Sequence, residues 1–277
     1  MYPSLNSTLT LNRVRWPEFA RLAARVGFGG VDVPLAAAMK EGAGATRALL
    51  DELKIRPAIL TFPVEFRKDD ATFDRDMEEL PRAAGFARDI GCPRMMTWLT
   101  SSSDTPKAEL RALFKRRFTA AAAVLARYQV RLGLEFLGPL HIRTRFRYEF
   151  IWRMNEMLAF ARECGPNVGL ALDSWHWYHA GATPDDIVAA GKQGIVTVHF
   201  NDAAAQPPEK VLDNERLMPG EGVIDLVAFL HALQSIGYED ALSVEVFGRG
   251  LRDMTPEAAA RLGLESARKV MRKAGVA

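Results

Sequence analysis

Gly27-Phe28-Gly29-Gly30-Val31-Asp32-Val33-Pro34 is the stretch on which the choice of fold turns. Its glycines stand before a short β-branched run, not after it. A dinucleotide-binding fold needs G-x-G-x-x-G just after its first strand, where the glycines let the chain turn tightly and a pyrophosphate approach the backbone. Here they read as turn formers. Gly42 and Gly44 open the next helical pattern without a third glycine, and no G-x-x-x-x-G-K-[ST] occurs.

Outward from this stretch, short apolar segments alternate with longer ones whose apolar residues recur at helical spacing. Strands are expected near residues 4–7, 30–34, 56–62, 94–99, 131–136, 168–173, 195–200 and 242–246. Helical patterns cover 16–26, 46–53, 70–90, 106–128, 149–164, 184–190, 225–236 and 256–273. Gly27, Gly91, Gly165 and Gly237 follow helices as C′ residues, Thr183-Pro184 and Thr255-Pro256 read as N-caps with proline at the first helical position, and Asp225 reads as an N-cap. Eight such alternations imply a parallel sheet, either doubly wound or closed. The misplaced glycines favour the closed form, an α/β (β/α)8 TIM barrel with residues 1–277 as a single domain.

Composition agrees with a globular chain. The 277 residues are 48% hydrophobic and 25% charged, with 36 Lys+Arg against 34 Asp+Glu. A net charge of +2 argues against a nucleic-acid partner, because phosphate-driven binding needs a surplus of cations on one face. No apolar stretch reaches the ~20 residues of a membrane span. Cys92 and Cys164 give no disulfide framework, and no signal-peptide pattern opens the chain, so a cytoplasmic setting is expected. A homo-oligomer stays open.

In such a barrel the chemistry sits at the C-terminal ends of the strands. Four ionisable residues interrupt apolar strands there: Glu135 in Leu-Glu-Phe, Asp173 in Ala-Leu-Asp-Ser-Trp-His, His199 in Val-His-Phe-Asn-Asp, and Glu245 in Ser-Val-Glu-Val-Phe. They lie on average about 37 residues apart, close to one strand-helix unit, which puts one on each of strands five to eight. Three buried carboxylates need compensation, and one divalent cation supplies it. An oxygen-rich, thiolate-free set suits Mn²⁺, Mg²⁺, Co²⁺ or Zn²⁺, with Mn²⁺ favoured. His176 follows Asp173 by three residues, placed as an outer ligand or a substrate donor. His141 lies in a loop, as does His179, while His231 falls within an amphipathic helix.

Leu172-Asp173-Ser174-Trp175-His176, Val198-His199-Phe200-Asn201-Asp202, Arg216-Leu217-Met218-Pro219-Gly220-Glu221-Gly222-Val223-Ile224-Asp225 and Ser243-Val244-Glu245-Val246-Phe247 together resemble the xylose-isomerase-like barrel of sugar isomerases and epimerases, most nearly its inosose (2-keto-myo-inositol) isomerases. The resemblance implies that Glu135, Asp173, His199 and Glu245 bind one metal ion and that His176 and Arg216 contact substrate oxygens. It also implies that the two glutamates exchange the substrate proton. Asn6 matches a first-strand polar position. Val31-Asp32-Val33-Pro34 and Leu60-Thr61-Phe62-Pro63 lack the polar strand ends associated with the inosose enzyme.

Moving a proton beside a carbonyl requires a base for a weakly acidic C–H and stabilisation of an enediolate. Two carboxylates on opposite walls would epimerise, whereas one carboxylate on one face would give a 1,2-shift. Arg216 sits in a Gly/Pro-bounded loop and, taken without the resemblance, reads first as a solvated loop arginine. Trp98, Trp175, Trp177 and Phe247 lie near strand ends, positioned to cover a sugar face or to pack under loops; Trp98 is taken as substrate-binding. The run 141–147 is locally basic. The expected activity is a metal-dependent isomerase or epimerase of a small keto-sugar or keto-inositol. Alternatives are a lyase on the same barrel, of the dehydroshikimate or inosose dehydratase type or cleaving carbon glycosides, and a catalytically silent sugar-binding subunit. A DNA-repair endonuclease on the related barrel would need histidines in the first half, and none precedes His141.

Overall fold

The computed structural model describes residues 1–276. Among them, eight parallel strands close a barrel: β1 (Tyr2–Leu5), β2 (Gly30–Val33), β3 (Arg56–Thr61), β4 (Arg94–Trp98), β5 (Arg131–Glu135), β6 (Val168–Asp173), β7 (Ile195–His199) and β8 (Ala241–Val244). Each pairs with its sequence neighbour in the set, and β1 closes on β8 through Tyr2 to Ala241 and Ser4 to Ser243. Strand β1 ends at Leu5, short of its expected 4–7, because the Asn6 side chain caps a 3₁₀ turn over Ser7–Thr10 by accepting from Thr8 N at 2.9 Å.

The outer layer consists of α1 (Glu18–Val26), α2 (Ala43–Leu53), α3 (Asp70–Asp89), α4 (Lys107–Ala126), α5 (Met154–Cys164), α6 (Pro184–Gly194), α7 (Leu226–Ser235) and α8 (Pro256–Lys273). Their punctuation follows the sequence. Thr183 and Asp186 form a capping box ahead of α6, while Asp225 and Thr255 accept from Ala228 N and Ala258 N. Gly27, Gly91 and Gly237 take positive φ after their helices, whereas Gly165 ends α5 in extended backbone.

Three departures bear on the site. Helix α5 starts at Met154 instead of 149, because Tyr148–Glu149 pair antiparallel with Ser102–Ser103 in a small ribbon. This ribbon ties the loop after β4 to the loop after β5 above the barrel mouth. Ser174–His179 is a short helix, not a loop, started by Asp173, whose Oδ1 accepts from Trp175 N at 2.7 Å and His176 N at 3.1 Å. Helix α6 runs beyond 190 only across a left-handed break at Gly191.

Register sets the site. Asp173, His199, Ser243 and Ser4 are successive in-register partners across β6, β7, β8 and β1. Alternation along a strand points such partners to the same side of the sheet. Trp98 and Glu135 are likewise partners across β4 and β5.

Candidate active site

Glu135, Asp173, His199 and Glu245 each offer a ligand atom, and these atoms all lie within 4.8 Å of one another. His199 Nδ1 is the hub, 3.1 Å from Glu135 Oε1, 3.2 Å from Glu245 Oε2 and 3.8 Å from Asp173 Oδ2. Ligands at about 2.0–2.2 Å from one ion stand no more than about 4.4 Å apart. The spacing and the three-carboxylate, one-imidazole chemistry therefore fit a single divalent cation after small adjustments.

Asp173 is fully buried and fixed on both oxygens, since Oδ2 accepts from Asn201 Nδ2 at 3.0 Å and from Arg216 Nη1 at 2.8 Å. Arg216 is no solvated loop arginine: only 2% of it is exposed. The same Nη1 reaches Glu245 Oε2 at 2.8 Å, Nη2 lies 3.2 Å from His176 Nε2, and Nε and Nη2 both donate to Asp213 Oδ1. A planar five-donor fork can serve all four partners at once, which an ammonium cannot. Trp175 and Phe247 enclose the guanidinium at 5.0 and 4.6 Å from their ring centroids.

The loop that carries Arg216 hangs from Asp202. One carboxylate oxygen accepts from Ala203 N and Ile224 N, the other from Gly220 N and Gly222 N, at 2.8–3.0 Å. Asp202 and Leu217 also exchange two main-chain hydrogen bonds. The run Pro219-Gly220-Glu221-Gly222 thus turns the amides of its two glycines inward onto one acid. At Gly222 a Cβ would stand 2.2 Å from the Ala203 carbonyl oxygen, so only glycine fits.

Electrostatics separates the two glutamates. Burial pushes Glu135 up to about 7, and its bond to His199 keeps it from rising further. Burial acts on Glu245 too, yet His199 and Arg216 outweigh it and hold this carboxyl at about 2. Burial alone would strip His199 of its proton, but Glu245 and Glu135 overcome that and raise it well above the usual imidazole value. His176 goes the other way: burial, aided by Arg216, brings it down to about 4. With an arginine donor at Nε2, neutral His176 must carry its hydrogen on Nδ1, and that buried N–H has no protein partner.

Above the cluster lies a cavity of about 840 Å³. Glu135, His176, Arg216 and Glu245 line its buried end, with Phe247 against the Arg216 guanidinium, and the exposed Trp98 and Phe146 line its outer part beside His141. Asn6 is not among the lining residues. Its amide nitrogen donates to Asp32 Oδ2 at 2.9 Å and Ser243 Oγ at 3.2 Å, and its oxygen accepts from Thr8 N. Trp177 packs on Phe229, with its Nε1 on the Thr183 carbonyl. Arg143, Arg145 and Arg147 spread over Trp152, Phe146 and Tyr148 instead of gathering at one point.

Sequence reasoning missed Asp32, Asp202 and Asp213. Asp32 corrects the expectation that the second strand lacks a polar end: its carboxylate accepts from Ser4 Oγ at 2.8 Å, from Asn6 and from Ser243. Burial raises it to about 6, with Ser243 restraining the rise. An acid isolated in Val31-Asp32-Val33 was the available signal, but its partners lie across the barrel closure.

A family model for the xylose isomerase-like TIM barrel matches residues 20–270. Inosose isomerase of Bacillus subtilis is 31% identical over 164 residues, 58% of this chain and 56% of that protein, so the match spans little more than half of that relative. A xylose isomerase domain protein from Alicyclobacillus acidocaldarius superimposes with a TM-score of 0.90 at 32% identity, covering 99% of each chain. The IOLI protein, solved with a zinc atom, superimposes with a TM-score of 0.83 over 99% of each chain; at 22% identity this speaks to fold alone. A 3-dehydroshikimate dehydratase of Pseudomonas aeruginosa matches at 36% identity over 36% of this chain and 16% of its own length, and an L-ribulose 3-epimerase of Mesorhizobium japonicum at 29% over 67% and 58%. Eight strands in closed parallel order and a family match over nearly the whole length agree: this chain belongs to the xylose isomerase-like TIM-barrel family.

Proposed function

We propose that the chain is a divalent-metal-dependent isomerase or epimerase of a keto-sugar or keto-inositol, one domain acting in the cytoplasm on a small molecule. The observation that carries this reading is the convergence of Glu135, Asp173, His199 and Glu245 at the foot of one cavity. Relatives named inosose isomerase and L-ribulose 3-epimerase support it. Those four residues would hold the ion, Mn²⁺ first, with Mg²⁺, Co²⁺ or Zn²⁺ as alternatives. Bound there, it supplies a Lewis acid where oxyanion charge develops.

The chain's own groups do the rest. Glu135 and Glu245 are the two carboxylates that would carry the substrate proton, one removing it from carbon and the other returning one. The two stand on either side of His199, so a substrate ring above the imidazole meets both. His176 Nδ1–H donates to a substrate oxygen, and Arg216 holds the neighbouring one. Trp98 and Phe247 keep water from the enediolate.

The test is proton exchange. Protein stripped of metal and reloaded with Mn²⁺ is incubated with 2-keto-myo-inositol and a ketose panel in D₂O, and deuterium uptake is followed by NMR. Uptake that requires metal is expected with at least one compound; none with any compound sinks the reading. The dehydroshikimate dehydratase match favours a second outcome, in which the enediolate expels a β-substituent. Appearance of enone absorbance distinguishes it.

A further inference from the structure

The cavity is larger than one sugar ring needs, and its two ends differ in chemistry. Its 840 Å³ lies high in the range of about 300–1,000 Å³ found for sites that take drug-sized ligands. The inner end presents carboxylates, Arg216 and the unpartnered N–H of His176. The outer end presents the rings of Trp98 and Phe146 beside Arg67, Ser103, Asp104, Thr105 and Arg145. Trp98 is 46% exposed and Phe146 43%, unusual for large apolar side chains inside a concave site.

This outer wall is built into the fold. Trp98 is the in-register neighbour of Glu135 and lines the same cavity. The Arg67 guanidinium lies between Phe66 and Trp98, 4.1 and 4.0 Å from the two ring centroids, and its Nη2 donates to the Trp98 carbonyl. The indole is thereby braced from one side. Opposite, Ser102 Oγ donates to Ile142 O at 2.6 Å and accepts from Phe146 N at 3.3 Å, while Thr100 Oγ1 donates to Ser102 O at 2.6 Å. These hydroxyls have given their protons to the main chain. Ser103, Asp104, Thr105 and Arg145 also line the cavity, and within it the exposed rings of Trp98 and Phe146 are where a flat apolar group would gain burial and stacking.

We propose that the cavity takes a sugar or cyclitol ring bearing an aromatic substituent, with the aromatic group against Trp98 and Phe146; this rests on the keto-sugar reading of the inner end. Calorimetric titration of the Mn²⁺-loaded protein with phenyl β-D-glucopyranoside, methyl β-D-glucopyranoside and 2-keto-myo-inositol tests it. The phenyl glycoside is expected to bind at least about tenfold tighter than the methyl one, from its buried ring area. Trp98→Ala should bring that ratio close to one, Trp98→Phe should keep most of it, and Phe146→Ala should lower it. Circular dichroism and a melting curve check that the variants fold.

A wild-type ratio near one, or a ratio that survives both alanine variants, overturns the proposal. So does binding of 2-keto-myo-inositol with neither glycoside. If the wild-type protein sediments as a dimer that Trp98→Ala makes monomeric, the rings meet a second copy of the chain and the proposal falls. Lack of deuterium exchange on any ketose, beside a preserved phenyl preference, overturns the keto-sugar reading alone.

Discussion

Arg216 Nη1 donates to Asp173 Oδ2 at 2.8 Å, joining a residue on a loop after β7 to the end of β6. Because Nη1 also reaches Glu245, one guanidinium offsets two of the three carboxylates. Arg216→Gln leaves these acids facing each other. Metal-stripped R216Q is expected to lose about 3–5 kcal/mol of stability in urea, the usual cost of breaking a buried pair. Added Mn²⁺ should recover part of it, while kcat/KM stays down by about 100-fold or more.

Glu135→Gln and Glu245→Gln each keep volume and remove a proton carrier. Each is expected to lower deuterium exchange by about 10²–10⁴-fold. Both variants should also lose Mn²⁺ affinity, read by calorimetry. Equal exchange in E135Q and wild type would remove Glu135 from the chemistry.

Asp202→Asn replaces one acceptor oxygen by a donor that faces two backbone N–H groups. With about 1–3 kcal/mol at stake for each unsatisfied group, the loop over residues 203–224 should loosen. Hydrogen exchange at the amides of Gly220 and Gly222 should speed up well before the β-strands do. Gly222→Ala, which drives a Cβ into the Ala203 carbonyl, should reproduce that pattern.

Asp32 sets a pH dependence whose sign is fixed. Its carboxyl is raised from an ordinary value of 3.8 to about 6, so the folded state holds this proton more tightly than the unfolded chain. The resulting stabilisation is complete below about pH 4 and is lost as pH rises through about 6, a swing on the order of 2–3 kcal/mol. Asp32→Asn removes it. Urea denaturation of the two proteins at pH 4, 5, 6 and 7 should show wild type losing stability relative to D32N along that series.

What the sequence discloses about the site depends on how far apart the interacting residues stand. Glu135, Asp173, His199 and Glu245 were legible because their spacing repeats the strand-helix unit, and a closed barrel turns that period into proximity. The strand positions were legible for the same reason, apart from ends decided by side-chain caps such as Asn6 on Thr8. Arg216 was readable only as a loop residue, since its burial depends on Asp202 collecting amides 18 to 22 positions downstream. The ribbon of Ser102–Ser103 with Tyr148–Glu149 has too few residues to show periodicity. Asp32 needed Ser243, which comes from the other end of the chain.

That seam has a consequence for assembly. Asn6 and Ser243 are 237 positions apart yet hydrogen-bonded, and Ser243 stands two residues before Glu245. Contacts this remote close late, because the intervening loop must be ordered first. A growing chain would already hold Asp173 and His199 on adjacent strands while Glu245 had no strand to dock against. Completion of the four-residue cluster is thereby left to the last strand to dock, and a protein cut short before β8 would be left with seven strands and an open, acid-lined seam.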